Sequence, residues 1–211
     1  RNGFDIHQAT ASKVLGVPLE EVSKDMRSKA KAVNFGIIYG QGAFGLAQNL
    51  GISRTEAKEI IDSYFKQFST LKNFQADQIE NAKKRGFVET ILKRKRSLPD
   101  INSANAIVRG FAERNAINAP IQGSAADIIK LAMIEIFHQL ESQQLKSKMI
   151  LQVHDELVFD VLKSEQEEVS SLVKTAMENA IQMNVPLIAE SGIGHNWLEA
   201  HWSQFTIVGK S

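Results

Sequence analysis

The sequence contains no cysteine among its 211 residues. Disulfide bonds and thiolate metal sites are therefore excluded, and the composition is compatible with a reducing cytoplasm. No apolar run approaches the roughly 20 residues that a membrane-spanning helix needs, and no signal peptide opens the chain. We accordingly expect no membrane partner and, in a bacterium, a cytoplasmic protein.

An excess of charge of one sign is also lacking, since 25 lysines and arginines stand against 24 aspartates and glutamates, for a formal net charge of +1. Any signal for a polyanionic partner must therefore be local. Hydrophobic residues make up 43% of the chain, which is ample core material for one large domain or two small ones. Because the chain opens at Arg1 without an initiator methionine, we expect a fragment of a longer protein.

The segment from Arg27 to Gly40 reads RSKAKAVNFGIIYG and organises the chain. Two cations, a flat ring and a phenol recur in it every four residues, at Arg27, Lys31, Phe35 and Tyr39. Each step of four advances only about 40° around a helix, so all four side chains lie on one side. Such a face suits a nucleoside triphosphate, with phosphates at one end and a planar base at the other. The alternative is a solvated basic face with one buried ring.

Capping signals predict the helices of the first half of the chain. Ser23 is a candidate N-cap for the organising helix. Ser53 and Glu56 have the spacing of a capping box, which predicts a helix to about Gln67, and a further helix should run over residues 71–86.

The glycines Gly40, Gly42 and Gly45 match the pattern G-x-G-x-x-G, which occurs in dinucleotide-binding and kinase loops. Both of those loops need a preceding strand, whereas the pattern before Gly40 is helical, and no kinase catalytic loop follows. We therefore interpret the glycines as a link between two helices.

Seven cations fall within fourteen residues, at positions 83–85 and 93–96, around a predicted strand over residues 87–92. Such a run is usually solvated, but a short basic hairpin is also a natural contact for a nucleic-acid backbone.

A helix predicted from Ser103 carries a second polar ridge, because Arg114, Asn118 and Gln122 are again four residues apart. Pro120 should interrupt this helix, and a new one should start near residues 123–124 and run to about residue 140. The ridge is either an ordinary polar flank or a set of donors for base edges and sugars.

Two apolar β-type runs flank His154-Asp155-Glu156, which predicts an antiparallel hairpin with the acidic residues at its turn. The turn is either merely hydrophilic or a metal site. Farther on, Ser164 with Glu167 predicts another capping box, and residues 186–193 resemble a final strand. Residues 202–211 show no clear role.

Three segments together resemble family A DNA polymerases of the bacterial polymerase I type. RSKAKAVNFGIIYG is similar to the fingers-helix motif of that family, LQVHDELV to its palm motif, and NAPIQGSAADIIKLAM to the segment between them. DIHQATA and GIGHNWLEAH also match, so the resemblance covers about residues 1 to 201. It implies an α+β fragment of a right-hand polymerase, with a mostly helical fingers subdomain over residues 5–104. A palm with an antiparallel sheet would comprise residues 1–4 and 105–211.

The resemblance also implies roles for single residues. The incoming triphosphate would be held by Arg27, Lys31 and His7, with Phe35 against its sugar and base and Tyr39 beside the templating base. Lys31 would also protonate the departing pyrophosphate.

DNA contacts are implied for Arg114, Gln122 and the nearby Asn118 in the minor groove, for Arg96, and for His154 at the primer strand. Asp155 would be a catalytic metal ligand, and Glu156, the acidic residue beside it, would also be a catalytic residue.

The implied function is template-directed DNA synthesis in replication or repair, by transfer from a dNTP to a primer end in primer-template DNA. Two Mg²⁺ ions would assist this transfer. The family's other catalytic aspartate lies in a motif resembling DYSQIELR, which is absent here, as are the thumb and any exonuclease domain. We therefore expect a monomeric, nucleoid-associated parent enzyme and poor or no synthesis by the isolated chain.

Two alternatives stay open. Single-subunit RNA polymerases share a similar fingers helix and a His-Asp palm motif, although Asn34-Phe35-Gly36 and the Glu after Asp155 favour the DNA enzyme. The chain could instead be a non-catalytic DNA-binding module of the same fold.

Overall fold

The structure is a computed structural model that describes residues 5–200 and 206–210. Its α-helices are α1 (Ile6–Leu15), α2 (Lys24–Ile38), α3 (Ala43–Leu50), α4 (Arg54–Gln67), α5 (Ser69–Arg85), α6 (Ala106–Ser142), α7 (Gln166–Glu178) and α8 (Trp197–Ala200). Its strands are β1 (Phe87–Glu89), β2 (Lys95–Ser97), β3 (Lys148–Val153), β4 (Glu156–Leu162), β5 (Gly192–Gly194) and β6 (Thr206–Lys210). Short 3-10 helices occupy Leu19–Glu21, Pro99–Asn102 and Lys163–Glu165. The chain divides into two compact units, Arg1–Gln122 (unit 1) and Gly123–Ser211 (unit 2).

Side-chain caps start the helices of unit 1 where the sequence predicts them. Ser23 Oγ accepts a hydrogen bond from the Met26 amide at 3.2 Å, so α2 begins as expected. Ser53 and Glu56 form the predicted capping box, with reciprocal bonds of 3.1 and 2.9 Å. Hydrogen bonding with Ser53 holds the pKa of the Glu56 carboxyl below its ordinary value.

Two hydrophobic clusters hold unit 1 together. The first joins α2, α3 and α4 through Val33, Ile37, Leu46, Ala47, Ala57 and Tyr64. The second lies under the β1–β2 hairpin and consists of Ala82, Val88, Leu98, Ile101, Ala112, Ala116 and Ala119. Burial of each large aliphatic side chain contributes about 1.5–3 kcal/mol. Helices α5 and α6 contribute only alanines to this second cluster.

Helix α6 continues through Pro120, so the predicted interruption is wrong. A proline inside a helix removes one backbone hydrogen bond and crowds the carbonyl four residues earlier, which costs about 3 kcal/mol. Buried residues on both sides of Pro120 offset this cost, with Ala116 and Ala119 before it and Ile129 and Ala132 after it. Tertiary packing therefore overrides the local signal.

Unit 2 contains a four-stranded sheet in the order β3-β4-β6-β5. Strands β3 and β4 form the predicted antiparallel hairpin, with Lys148 opposite Asp160 and Val153 opposite Glu156. Strand β6 pairs in parallel with both β4 and β5, so the sheet is mixed and only its hairpin is antiparallel. The core between the sheet and helices α6 and α7 includes Phe159, Val161, Ile136, Val169 and Val173, all fully buried. The predicted α+β class is confirmed.

Three local predictions differ from the structure. Helix α7 begins at Gln166 after a 3-10 turn, so Ser164 and Glu167 form no capping box. The strand predicted over residues 186–193 is limited to β5 (Gly192–Gly194), because residues 186–191 pair with no described strand, and it is not the final strand because β6 follows it. Strand β1 ends at Glu89, since Thr90 and Lys93 form the hairpin turn that follows.

The predicted boundary between fingers and palm at residues 104–105 stays a prediction. Residues 1–4, which the prediction assigns to the palm, lie outside the described residues, as do 201–205 and 211 within the predicted palm and tail.

Substitution of Gly40 would test how tightly the end of α2 packs within unit 1. The φ of Gly40 is +74°, and a Cβ there would lie 2.9 Å from Cδ1 of the buried Ile117. Gly51 has a similar φ of +66° but open space around it. We expect Gly51→Ala to lower the free energy of unfolding by about 1 kcal/mol through backbone strain, and Gly40→Ala to lower it by more, because Ile117 must also shift. Urea denaturation of both variants would measure the difference, and equal losses would contradict the close packing.

Candidate active site

The predicted nucleotide-binding side chains lie together on one surface of unit 1, which we call the α2 face. It comprises Arg27, Lys31, Phe35 and Tyr39 of α2 with His7 of α1. The Phe35 ring centroid lies 5.8 Å from that of His7 and 6.2 Å from that of Tyr39, and the Phe35 and Tyr39 rings are stacked at 26°. Lys31 Nζ lies 6.0 Å from the Phe35 centroid. The face thus combines cations with a continuous row of rings.

Asp5 orients Arg27 from the start of α1. Its Oδ1 caps α1 by accepting the amides of His7 and Gln8 at 2.9 and 3.0 Å, and its Oδ2 accepts Arg27 Nε at 2.6 Å. The bond from Gln8, followed by that from Arg27, holds the pKa of the Asp5 carboxyl below its ordinary value. Because only Nε of Arg27 is engaged among the described residues, both terminal amino groups can still bind an anion in a bidentate manner.

The sequence analysis did not predict that Asp5 binds and orients Arg27. An aspartate directly before a helix is a typical N-cap signal. Its pairing with Arg27, which is 22 residues away, has no local signature.

His7 is half-buried beside two cations. Burial, followed by repulsion from the Arg27 charge, lowers the pKa of the His7 imidazole, and Lys31 acts in the same direction while Asp5 opposes it. The ring is therefore neutral at neutral pH. A neutral imidazole carries one N–H, which can donate a hydrogen bond to a phosphate oxygen.

The end of α2 is held by two glutamine side chains. The buried Gln75 of α5 donates from Nε2 to the carbonyl oxygens of Ile37 and Ile38, at 2.7 and 3.3 Å. Gln41 packs against Gly36 and Gly45, where added Cβ atoms would collide with its side chain. The glycine-rich segment links α2 to α3, as predicted.

Glutamates neutralise part of the basic hairpin. Lys83, Lys84 and Arg85 form ion pairs with Glu113, Glu80 and Glu89, respectively. The cations of the turn and β2 are all exposed, and the Lys95 ammonium lies 4.7 Å from the Phe87 centroid. Arg96 is exposed and makes no ion pair with a described residue. Arg96 is therefore a cation of the hairpin that no described carboxylate neutralises by an ion pair.

Three of the five residues predicted to contact DNA, Arg114, Asn118 and Gln122, lie along one ridge of α6 within unit 1. Arg114 and Gln122 are exposed, and the Arg114 guanidinium lies 5.8 Å from the Phe111 ring centroid. Asn118 is half-buried, and its Oδ1 has no partner among the described residues.

The carboxylates of Asp155 and Glu156, at the β3–β4 turn of unit 2, lie in different environments. His154 has a φ of +56°, which gives the two-residue connection between β3 and β4 its tight geometry. Asp155 is exposed and forms no hydrogen bond or ion pair with a described residue. Glu156 begins β4 and is only 9% exposed, and its Oε1 accepts Trp197 Nε1 at 2.8 Å. The Trp197 contact spans 41 residues and was not foreseen.

The Asp155 carboxylate fits a hard divalent cation, because its oxygens are free and accessible. It opens onto a cleft of about 520 Å³ in unit 2 that Glu156 and Glu190 also line. Within the part of the chain that the structure describes, no three acidic or histidine side chains converge to hold a metal ion.

Comparison with known proteins identifies the family. A sequence model of DNA polymerase family A matches residues 1–199. DNA polymerase I of Streptococcus pneumoniae serotype 4 is 53% identical over 201 residues, which are 95% of this chain and 23% of that protein. DNA polymerase I of Bacillus subtilis strain 168 is 48% identical over 199 residues, with coverages of 94% and 23%. A solved structure of the POL domain of Pol1 from M. smegmatis, in complex with DNA primer-template and dNTP, matches with a TM-score of 0.85 and 45% identity. That match covers 89% of this chain and 33% of the other.

The fold is that of a fragment of a right-hand polymerase, as the structural match establishes. More closely, the chain belongs to DNA polymerase family A. It spans about a quarter of the length of the polymerase I relatives named above. Within residues 5–200 and 206–210, no helix has both the length and the apolarity needed to cross a bilayer.

A double-mutant cycle measures the contact between Glu156 and Trp197. We expect Trp197→Phe to lower the free energy of unfolding by about 1–3 kcal/mol, because a buried carboxylate loses a donor. In a Glu156→Gln background, Trp197→Phe should lower the free energy of unfolding by less, because a buried neutral amide loses less than a buried carboxylate when a hydrogen-bond donor is removed. Urea denaturation of the four proteins gives the coupling energy, and a coupling of zero would show that the indole N–H does not stabilise the carboxylate.

Proposed function

We propose that this chain is part of a DNA polymerase that carries out template-directed synthesis in DNA replication or repair. The reaction transfers a nucleotidyl group from a dNTP to the 3′ end of a primer. The observation that carries the proposal is the α2 face, where two cations, a neutral imidazole and two stacked rings share one surface. The polymerase I relatives and the solved relative with primer-template and dNTP support it.

The α2 face suits the two ends of a dNTP. The free amino groups of Arg27, the ammonium of Lys31 and the N–H of His7 bind the triphosphate oxygens. The exposed Phe35 ring packs against the sugar and base, and Tyr39 lies beside the templating base.

Lys31 also takes part in the transfer step. The primer 3′ oxygen forms a bond to the α-phosphorus, and the bond between that phosphorus and the bridging oxygen to the β-phosphorus breaks. The 3′-hydroxyl gives its proton to water, and Lys31 Nζ gives one to the departing pyrophosphate. Lys31 thereby reduces the charge that develops on the leaving group.

Asp155 is the residue of this chain that would hold Mg²⁺, with a second carboxylate supplied from outside the chain. When bound, two Mg²⁺ ions neutralise the triphosphate and stabilise the attacking and leaving oxygens. Glu156 is the acidic residue that follows Asp155 at the start of β4, and its bond to Trp197 holds this end of β4 in place.

Residues of α6 and the two hairpins contact the DNA. Arg114 and Gln122, with Asn118 between them, donate to the minor groove, whose acceptor pattern is similar for every base pair. Arg96 contacts a backbone phosphate, and His154 contacts the primer strand. Such minor-groove contacts suit an enzyme that must accept every correct pair. We further propose that the fingers comprise residues 5–104, that the remainder belongs to the palm, and that the enzyme is a monomer.

Primer extension with Mg²⁺ tests the metal role of Asp155 in the full-length polymerase that contains this segment. Asp155→Ala should reduce extension by at least about 10³-fold, since a metal ligand is lost. Asp62→Ala, at an exposed position of α4, should leave extension unchanged. Extension that survives in Asp155→Ala would place the chemistry elsewhere, and DNA binding without extension by the unmodified enzyme would favour a non-catalytic module. Extension with ribonucleotides in preference to deoxyribonucleotides would indicate an RNA polymerase.

Lys31 and Lys29 provide a matched pair on one helix. Lys29 forms an ion pair with Asp25 at 2.8 Å and lies away from the α2 face, whereas Lys31 lies on it. We expect Lys31→Ala to reduce incorporation by about 10²-fold or more while DNA affinity is retained. Lys29→Ala should change neither quantity. Single-turnover incorporation and DNA-binding titrations measure the two effects, and parallel loss of both in Lys31→Ala would contradict a role in transfer.

A further inference from the structure

We propose that Asn34 and Thr10 set the tautomer of His7, so that its Nε2–H is the donor that meets the triphosphate. This inference rests on the proposed function and assigns two positioning residues behind the α2 face. Neither residue is exposed, and neither belongs to the predicted contact set.

The contact between Asn34 and His7 determines where the imidazole proton lies. Asn34 Nδ2 lies 2.9 Å from His7 Nδ1, and Asn34 is only 2% exposed. An amide nitrogen can only donate, so Nδ1 must accept through its lone pair. A neutral ring then carries its single proton on Nε2.

Thr10 holds the Asn34 amide in the required orientation. Its Oγ1 donates to Asn34 Oδ1 at 3.0 Å, and Thr10 is only 1% exposed. With its oxygen held by Thr10, the amide presents its nitrogen to His7. Thr10 follows His7 by three residues on α1, so both side chains lie on the same side of that helix.

The charged groups around His7 favour the same neutral ring. Burial disfavours the charged imidazole by desolvation, and Arg27 and Lys31 repel it, whereas Asp5 attracts it. Protonation would also bring a new Nδ1–H against the Asn34 N–H, so the hydrogen bond would have to break. His7 Nε2 has no partner among the described residues and remains available to a ligand.

The consequence is a donor that does not vary with pH around neutrality. The Nε2–H of His7 can donate to an anion. Because the ring is neutral, binding does not require the desolvation of a further charged group. The opposite tautomer would present a lone pair from Nε2 to a phosphate oxygen and would repel it.

Nitrogen-15 NMR of histidine side chains in the 211-residue chain reads the tautomer directly, with the His7 signals assigned by loss in His7→Gln. We expect Nδ1 to resonate as an unprotonated nitrogen and Nε2 as a protonated one. Thr10→Ser should retain this pattern, and Thr10→Val should weaken it by freeing the amide. Protonated Nδ1 in the unmodified chain would overturn the proposal. Circular dichroism of each variant controls for loss of fold.

The Asn34→Asp variant tests the tautomer assignment through the pH dependence of KM for dNTP, and the direction of that dependence can be predicted. A carboxylate at this position accepts from Nδ1–H and raises the pKa of His7. Below that pKa the imidazolium still offers Nε2–H, but above it the neutral ring keeps its proton on Nδ1. In the full-length polymerase, KM for dNTP should therefore rise about tenfold as pH increases through the raised pKa.

The unmodified enzyme and the double variant His7→Gln/Asn34→Asp provide the controls. Dividing the KM of each variant by the KM of the unmodified enzyme at the same pH removes the effect of titration of the dNTP itself. For the double variant, this KM ratio should not rise with pH. A ratio for Asn34→Asp that stays constant with pH would overturn the donor role. If the unmodified full-length protein bound no dNTP, the proposed function would fail, and the NMR result would still decide the tautomer.

Discussion

The amphipathic packing of α2 is the constraint on which the candidate nucleotide surface depends. Its inner side buries Ala30, Val33, Asn34 and Ile37 in unit 1. Because side-chain positions on a helix are fixed relative to one another, burial of this side forces the residues at spacing four onto the opposite, accessible side. The helix is anchored at its start by the Ser23 cap and at its end by Gln75. A set of cations and rings that would be unfavourable in a core is thereby kept on one accessible side of the helix.

A similar constraint acts on the acidic turn of unit 2. Strand β4 is almost entirely buried, and its partner β3 fixes the register, so the two-residue turn must expose Asp155. The base of the hairpin is fixed by Glu165, whose carboxylate accepts the amides of Lys146 and Ser147 and the Ser147 hydroxyl at 2.6–3.1 Å. At the turn end of the hairpin, Trp197 Nε1 donates a hydrogen bond to the Glu156 carboxylate. The adjacent carboxylates therefore differ in character, one free to bind a cation and the other committed to the fold.

Supporting residues determine where this chain, whose net charge is nearly zero, presents cationic and hydrogen-bond-donor groups. The ion pairs of the 83–85 segment remove charge locally, whereas Arg27 keeps its two terminal amino groups free although Asp5 binds its Nε. Asn34 and Thr10 provide a comparable support for His7 without adding charge. In both cases a buried or capping group determines the direction of a donor on the α2 face.

The sequence by itself determined the features that depend on local periodicity. Spacing by four predicted the α2 face, the Ser53–Glu56 spacing predicted a capping box, and the apolar β-type runs on both sides of His-Asp-Glu predicted the hairpin. These patterns are sufficient because helices and strands impose fixed geometry on neighbouring residues. Only the tertiary structure decided whether Pro120 would break α6, since packing on both sides outweighed the local cost. It alone also decided the contacts of Asp5 with Arg27, of Asn34 with His7 and of Trp197 with Glu156. Those partners are 22, 27 and 41 residues apart, and no local pattern specifies which distant groups the folded chain will bring together.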